Sequence, residues 1–504
     1  MNYYLLLFLM FFGSLLSACT VGPNYHRPPV IVPAKFKEAP KGWKFAEPRD
    51  TQQCGSWWQM FHDPQLNELE AKINVTNQSI AMAEAQYRQA LAIITQARAG
   101  YFPTVSGNVT TSRQQSSSNG GSNSNTNSSS TSSTSNTTTN NGSAVVSNSN
   151  GRISLPPFST YSLSFSALWE PDIWGSVRRT VEAAKAGAQA SAAQLAATRL
   201  SMQATLAQNY FQLRALDVGQ KVLDDAVVAY KASLKLTKYR YQGGVVALTD
   251  VVQAESQLKT AEAQAFDNHI FRQQFEHAIA MLVGLPPANF CLPPKVLPLK
   301  PPTILLQVPT VLLERRPDVA QAERLMAQAN AQIGVAIAAL FPTLTLSGNY
   351  GYSSSVFEKW FSPASRVWSL AASVADTLFD GGLRYGQILG ARAAYDQTVA
   401  SYRQVVLTSF QDVEDNLVAL RQLQKELVVQ KQAVTAAKQA LNLVMIQYQA
   451  GTVNYLSVIV TQTTLYTAEK TVADVLGRQM VAAVGLVKAL GGGWDPLPLW
   501  ITRM

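Results

Sequence analysis

The sequence predicts a mainly α-helical chain with a few short membrane-type β-strands, built from one supersecondary unit written twice. Three observations carry this reading. Short motifs recur at constant offsets, long heptad runs mark coiled-coil helices, and short segments alternate polar and apolar residues with period two.

The repeat settles the organisation. Phe102-Pro103-Thr104-Val105 recurs as Phe341-Pro342-Thr343-Leu344, an offset of 239 residues. Upstream, Ile80, Ala83, Glu84, Ala90 and Ala97 match Val319, Ala322, Glu323, Ala329 and Ala336 at the same offset. Further on, Tyr241-Gln242-Gly243-Gly244 returns as Tyr448-Gln449-Ala450-Gly451, now at 207. Leu258, Ala261 and Glu262 match Leu465, Ala468 and Glu469, and Gly175 matches Gly382, at that second offset. The offsets differ by 32, so copy one carries about that many extra residues between Phe102 and Gly175. They are visible: every residue from Ser116 to Ser143 is Ser, Asn, Thr or Gly. Such a tract has no apolar side chain to bury and reads as a solvated loop. Its Asn-x-Ser/Thr triplets follow from composition.

Each copy reads helix, two strands, long helix, tight turn, helix. Thr343 to Ser347 and Tyr161 to Leu168 alternate polar and apolar residues. The Phe-Pro pairs break the preceding helices, because proline is poorly tolerated in a helix interior. Strands are expected at about 102–114, 157–170, 341–354 and 365–379. Aromatics near their ends (Tyr101, Phe102, Phe158, Trp169, Phe341, Trp368) are the weak signature of membrane strands; a soluble amphipathic hairpin would share the alternation. Four strands cannot close a barrel around a pore, so a membrane reading requires several chains.

The long helices carry the clearest signal. Val399, Val406, Val413, Leu420, Leu427, Val434, Leu441 and Tyr448 fall every seven residues. Leu206, Leu213, Val227, Leu234 and Tyr241 keep that register in copy one, with Gln220 as its polar member. Arg384 to Gln449 contains no proline, and at 1.5 Å per residue it would run roughly 100 Å. A single hairpin of that length has too little core to stand alone and needs neighbours on both sides.

Composition sets the outer limits. The chain has 504 residues, 47 % hydrophobic and only 14 % charged. After residue 18 no apolar run reaches the length of a membrane-spanning helix, so a membrane crossing must use strands. The net charge of +9 is scattered and forms no basic-aromatic motif, which speaks against a nucleic-acid partner. Four His and three Cys, without CxxC or CxxH spacing, leave no metal site. No nucleophile–base pair or phosphate loop appears, so neither catalysis nor a cofactor is expected.

Residues 1–18 read as a signal peptide with an apolar stretch from Leu5 to Leu16, although Met1 to Tyr4 carry no Lys or Arg. Leu16-Ser17-Ala18-Cys19 resembles a bacterial lipobox, which implies cleavage before Cys19 and lipidation of its thiol. Thr20, rather than Asp, then points to the outer membrane. Cys54 and Cys291 remain; a disulfide between them is conceivable in an oxidising compartment, but two unpaired thiols are the simpler reading.

Six motifs in order now resemble one family. They are Val21-Gly22-Pro23-Asn24-Tyr25-His26-Arg27-Pro28, Trp57-Trp58 through Phe61-His62-Asp63-Pro64-Gln65-Leu66, and Trp169-Glu170-Pro171-Asp172-Ile173-Trp174-Gly175. Then come Leu313-Glu314-Arg315-Arg316-Pro317-Asp318-Val319, Phe379-Asp380-Gly381-Gly382, and Ala489-Leu490-Gly491-Gly492-Gly493-Trp494. Across nearly the whole mature chain, this resembles the outer-membrane factor family, and within it the NodT-type efflux lipoproteins. The resemblance implies a homotrimeric channel-tunnel. Three chains of four strands would form a twelve-stranded outer-membrane barrel, continued by a coiled-coil α-barrel through the periplasm.

On that resemblance the chain divides into a signal peptide (1–18), an extended equatorial segment (19–64) and a first repeat (65–290) containing the extracellular loop 115–151. A linker (291–313), a second repeat (314–490) and an equatorial tail (491–504) follow. The implied function is passive export of drugs or other small molecules. The implied partners are a periplasmic adaptor that docks on the hairpin turns at Gly243, Gly244 and Gly451, an inner-membrane pump of the RND type, and outer-membrane lipid. A protein-secretion duct and a pore-free coiled-coil envelope lipoprotein are the alternatives; the duplicated strands speak against the second. Arg315-Arg316-Pro317-Asp318 has a plain structural account, proline in the first turn of a helix with Asp318 complementing its dipole.

The same resemblance places a periplasmic gate at the two turns. Mapping gives Thr249, Asp250, Tyr448, Val453, Ser457 and Val460, with a Tyr448–Asp250 hydrogen bond as a candidate latch. An Asp in the first turn of a helix is equally well explained by the dipole alone. Two departures stand out. The family often has an Arg or another polar latch near Val453, and it commonly carries carboxylates where this chain has Ser457 and Val460. The expected neck is therefore less acidic and more apolar, closed by Tyr448, Asp250, Val453 and Val460, with weak divalent-cation block.

Overall fold

The computed structural model describes residues 20–29, 33, 36–37, 56–115, 157–296, 300–302 and 315–492. The signal peptide, Cys19, Cys54, most of the loop 115–151, much of the linker 291–313 and nearly all of the tail 491–504 lie outside these residues. The chain forms two compact units, one around residues 99–173 and 341–380, the other from 18–98, 174–340 and 381–504.

The first unit is a four-stranded antiparallel sheet in the order β1-β2-β3-β4: β1 (Thr104–Gln114), β2 (Phe158–Trp169), β3 (Thr343–Ser354) and β4 (Arg366–Ala375). Pairing runs from Thr104↔Leu168 to Gln114↔Phe158, then Leu168↔Ser347, then Thr343↔Ala375. β4 stops at Ala375, short of the expected residue 379. Thr343 is the first residue of β3 and pairs with Ala375, so Leu378 and Phe379 have no ladder to join. Small polar residues line the β1–β2 pair; Ser106 and Ser166 hydroxyls meet at 2.8 Å. The indole of Trp169 donates to the Tyr101 carbonyl at 3.1 Å. β1 and β4 are the sheet's two edges, and every residue of β4 is exposed.

The second unit is helical. After a 3-10 turn (Trp57–Phe61) come α1 (Pro64–Thr76), α2 (Gln78–Ala99), α3 (Ser176–Gln242) and α4 (Leu248–Leu282). The second copy supplies α5 (Pro317–Ala338), α6 (Leu383–Gln449) and α7 (Tyr455–Ala489). α3 and α6 each span 67 residues, α4 and α7 each 35, so both hairpins are drawn to one length. The helix ahead of Phe102 is split. Asn77 ends α1 with extended backbone, its side-chain oxygen accepts the Ile80 amide at 3.0 Å, and its amide donates to the Leu282 carbonyl at 2.7 Å.

α3 packs against α4, α5 and α7, and α6 against α5 and α7. The core is Ala-rich along α3 and otherwise built from heptad positions: Leu206, Leu213, Val406, Val413 and Tyr448 are buried. α5 lies between α3 and α6 and buries Val319, Met326, Asn330, Ile333 and Gly334, among others. Its counterpart α2 buries only Ile80, Ala83 and Ile94, while Met82 and Ile93 face outward.

A buried ionic cluster and a partly exposed one tie the connecting segments to the helices. Asp217 accepts from Arg214 and Arg272, each at 2.7 Å; Arg272 also binds Glu276 at 2.6 Å and the Leu292 carbonyl. Arg316 pairs with Asp318 at 2.7 Å and Asp412 at 3.1 Å, and donates to the Ala489 carbonyl. Pro317 and Asp318 open α5 as the motif implies, and the buried Arg316 adds a joint between α5, α6 and the end of α7. Cys291 is exposed with a free thiol.

Candidate functional site

The candidate site is the pair of hairpin tips, where α3 turns into α4 and α6 into α7. Both tips are made the same way. Gly244 (φ 72°) and Gly451 (φ 78°) adopt the left-handed conformation that glycine takes without strain. The Gly244 amide donates to the Tyr241 carbonyl and the Val245 amide to Arg240; at the second tip Gly451 donates to Tyr448 and Thr452 to Gln447. Each pair of bonds satisfies two carbonyls that a helix C-terminus leaves open. Gly243 has an ordinary negative φ, so at the first turn Gly244 alone requires glycine's freedom.

The outgoing helices start differently. α4 follows Ala247, which offers no side-chain cap; Asp250 is the acidic residue of its first turn and Thr249 beside it is exposed. α7 is capped by Asn454, whose side-chain oxygen accepts the Ser457 amide at 3.2 Å and the Ser457 hydroxyl at 2.9 Å. Ser457 thus spends its hydroxyl on the cap. The first turn of α7 holds no acidic residue.

Between the tips lies a small apolar core. Tyr448, Tyr455, Val251, Ala254 and Val458 are buried in it, and Val453 packs against its edge. The rings of Tyr448 and Tyr455 lie 5.6 Å apart. Burial pushes the Tyr455 hydroxyl up to about 12, so it stays neutral. Polar side chains cross-brace the helices: Gln257 of α4 donates to the Tyr230 hydroxyl of α3 and to Thr463 of α7, and Gln462 of α7 donates to Ser233 of α3. The pairs Lys231–Glu262 and Lys438–Glu469 occupy matching places in the two copies; the lysines are well exposed, so each contributes little.

The structure brings Tyr448 and Val453 together but does not join Tyr448 to Asp250. Among the described residues the Tyr448 hydroxyl is buried with no hydrogen-bond partner. The candidate latch bond is therefore not made there. Its ring belongs to a heptad core position, which draws the side chain inward among apolar neighbours. Val460, by contrast, is 57 % exposed.

One contact at the tips escaped the sequence reading. Arg240, in the last turn of α3, donates to the Tyr448 carbonyl at 2.9 Å and the Gln449 carbonyl at 3.1 Å, and its guanidinium lies 4.5 Å from the centre of the Tyr448 ring. A basic residue in the last turn of a helix is a common end signal. Nothing local shows that this one serves the end of a different helix, about 200 residues away.

Comparisons with known proteins agree with this architecture. The family model "Outer membrane efflux protein" matches residues 71–285 and again 308–492. The probable efflux pump outer membrane protein TtgC of Pseudomonas putida is 27 % identical over 97 % of this chain and 96 % of its own length. The pyoverdine export outer membrane protein OpmQ of Pseudomonas aeruginosa is 29 % identical over 96 % of this chain and 97 % of its own. Among solved structures, the outer-membrane channel OprN superposes with a TM-score of 0.81 at 28 % identity, covering 95 % of this chain and all of that one (100 %). With matched helical hairpins, a four-stranded sheet and a family model that fits each half in turn, this chain belongs to the outer membrane efflux protein family.

Proposed function

We propose that this outer-membrane efflux protein works as a ring of three copies. Twelve strands would close a barrel in the outer membrane, and the paired hairpins would form the wall of a periplasmic tunnel. Incompleteness of the single chain carries the proposal. β1 and β4 leave open sheet edges, which a lipid bilayer does not tolerate, and a closed barrel removes them. α2 leaves outward the flank that its counterpart α5 covers with α6. A neighbouring copy on each side supplies both missing partners.

On this reading small molecules pass outward without energy input at the duct, and an RND-type inner-membrane pump supplies the drive. A periplasmic adaptor docks around Gly243, Gly244 and Gly451. An acyl chain on Cys19 anchors the N-terminus in the outer membrane, and the segment boundaries follow the repeat: 19–64, 65–290, 291–313, 314–490 and 491–504. The resting tunnel is narrowed at the tips by the apolar packing of Tyr448 and Val453, with Asp250 and Val460 turned toward neighbouring copies.

Native mass spectrometry of the detergent-extracted protein should give three chains, and planar-bilayer recording should give discrete channels. A monomer without conductance would end the proposal. The neck is tested in the same recordings: Ser457 and Val460 in place of carboxylates predict weak block by divalent cations, and Val460→Asp should strengthen it. Strong block in the unmodified protein counts against the apolar neck.

A further inference from the structure

We propose that Arg240 is the latch that holds the two hairpins of one chain together at their tips, in place of a hydrogen bond from the Tyr448 hydroxyl. This deepens the reading of the tips as the gate and rests on it.

The argument starts from the end of α6. A helix leaves its last carbonyls without intrahelical donors and concentrates partial negative charge there. Gly451 and Thr452 cover two of them, those of Tyr448 and Gln447. Arg240 brings a positive charge to the same end and donates to the Tyr448 and Gln449 carbonyls through separate guanidinium nitrogens. Its planar fork also lies close over the Tyr448 ring, whose other neighbour in the core is Tyr455. One side chain of the first copy thus makes two charge-assisted hydrogen bonds and a cation–π contact to the second.

The grip runs in one direction. Gln447 occupies the place of Arg240 in the second copy, and it is shorter and uncharged. The repeat therefore loses its symmetry at the point where the hairpins meet. Swinging the α6–α7 tip away from α3 breaks all three contacts at once. The Tyr448 hydroxyl takes no part, being buried and unpartnered among the described residues. Arg240 is only partly buried, so water can take over its donors when the tips separate.

The test is planar-bilayer recording of the full chain. Arg240→Ala should raise the open-to-closed ratio about tenfold, the size expected from losing hydrogen bonds to a charged group. Arg240→Lys, which cannot fork across two carbonyls, should raise it less, and it carries the test if the alanine variant fails to assemble. Tyr448→Phe, which removes only the hydroxyl, should change it far less than Arg240→Ala does. Wild-type gating in both Arg240 variants, or opening by Tyr448→Phe as large as that by Arg240→Ala, would overturn the latch. A separate arm examines the gate itself: Thr249→Cys, with Cys54→Ser and Cys291→Ser, is treated with a bulky thiol reagent. Block of the current places the tips on the conduction path, so that unaltered gating in the Arg240 variants then removes the latch alone. Unblocked current removes the gate reading and the latch with it.

Discussion

Arg272 on α4 donates to Asp217 on α3 at 2.7 Å, and both side chains are almost completely shielded from water. Asp217 also takes Arg214 and the Lys295 amide, while Arg272 takes Glu276 and the Leu292 carbonyl. The linker after α4 is thereby tied to both helices of the first hairpin. Taking one partner from a buried pair leaves a charge without compensation, so Asp217→Ala should cost about 3–5 kcal/mol. Arg272→Met on top of Asp217→Ala should cost much less than it does alone, which thermal unfolding of the two single variants and the double would reveal.

Glu70 of α1 is fully buried, and among the described residues neither carboxyl oxygen has a hydrogen-bond partner. Burial pushes its carboxyl from 4.5 up to about 9, so it carries its proton at neutral pH. The unfolded chain ionises this group near 4.5 and the folded chain only near 9. Its contribution is therefore full below the lower value and is lost as pH rises through the upper one. Glu70→Gln should flatten that part of the pH dependence. Melting temperatures compared at about pH 5 and about pH 8.5 would show it, and identical slopes would refute it.

At the tips, Gly244 and Gly451 are surrounded by open space, so alanine there meets only backbone strain of roughly 1–2 kcal/mol. Gly284 after α4 has the same left-handed backbone, but the Thr76 carbonyl fills the place of a Cβ. Gly284→Ala should be the most destabilising of the three, and chemical unfolding of each variant orders them.

Arg179 of α3 holds the segment after residue 19. It donates to the Val21 and Gly22 carbonyls at 3.2 and 3.1 Å and to Asn24 at 3.0 Å, while Asn330 of α5 donates to the Pro23 carbonyl. Arg179→Ala should release this strap at a cost on the order of 3 kcal/mol. Limited proteolysis read by mass spectrometry should then cut between residues 20 and 29 much faster than in the unaltered protein.

Much of the architecture is written in the chain. Period-seven apolar residues from Val399 to Tyr448 make a coiled-coil helix because only that spacing keeps one stripe turned to its neighbours. Phe341-Pro342 ends a helix and Gly451 ends another for reasons local to a few residues. Constant offsets make the second copy a check on the first. Tertiary structure alone decided which side chains from distant segments meet. Arg240 stands in the last turn of its own helix and serves the end of another; Glu70 is an acid within a helix, and its carboxyl is buried without a partner among the described residues. Periodicity governs which face of a helix turns inward, whereas the identity of what waits there depends on the packing of elements hundreds of residues apart.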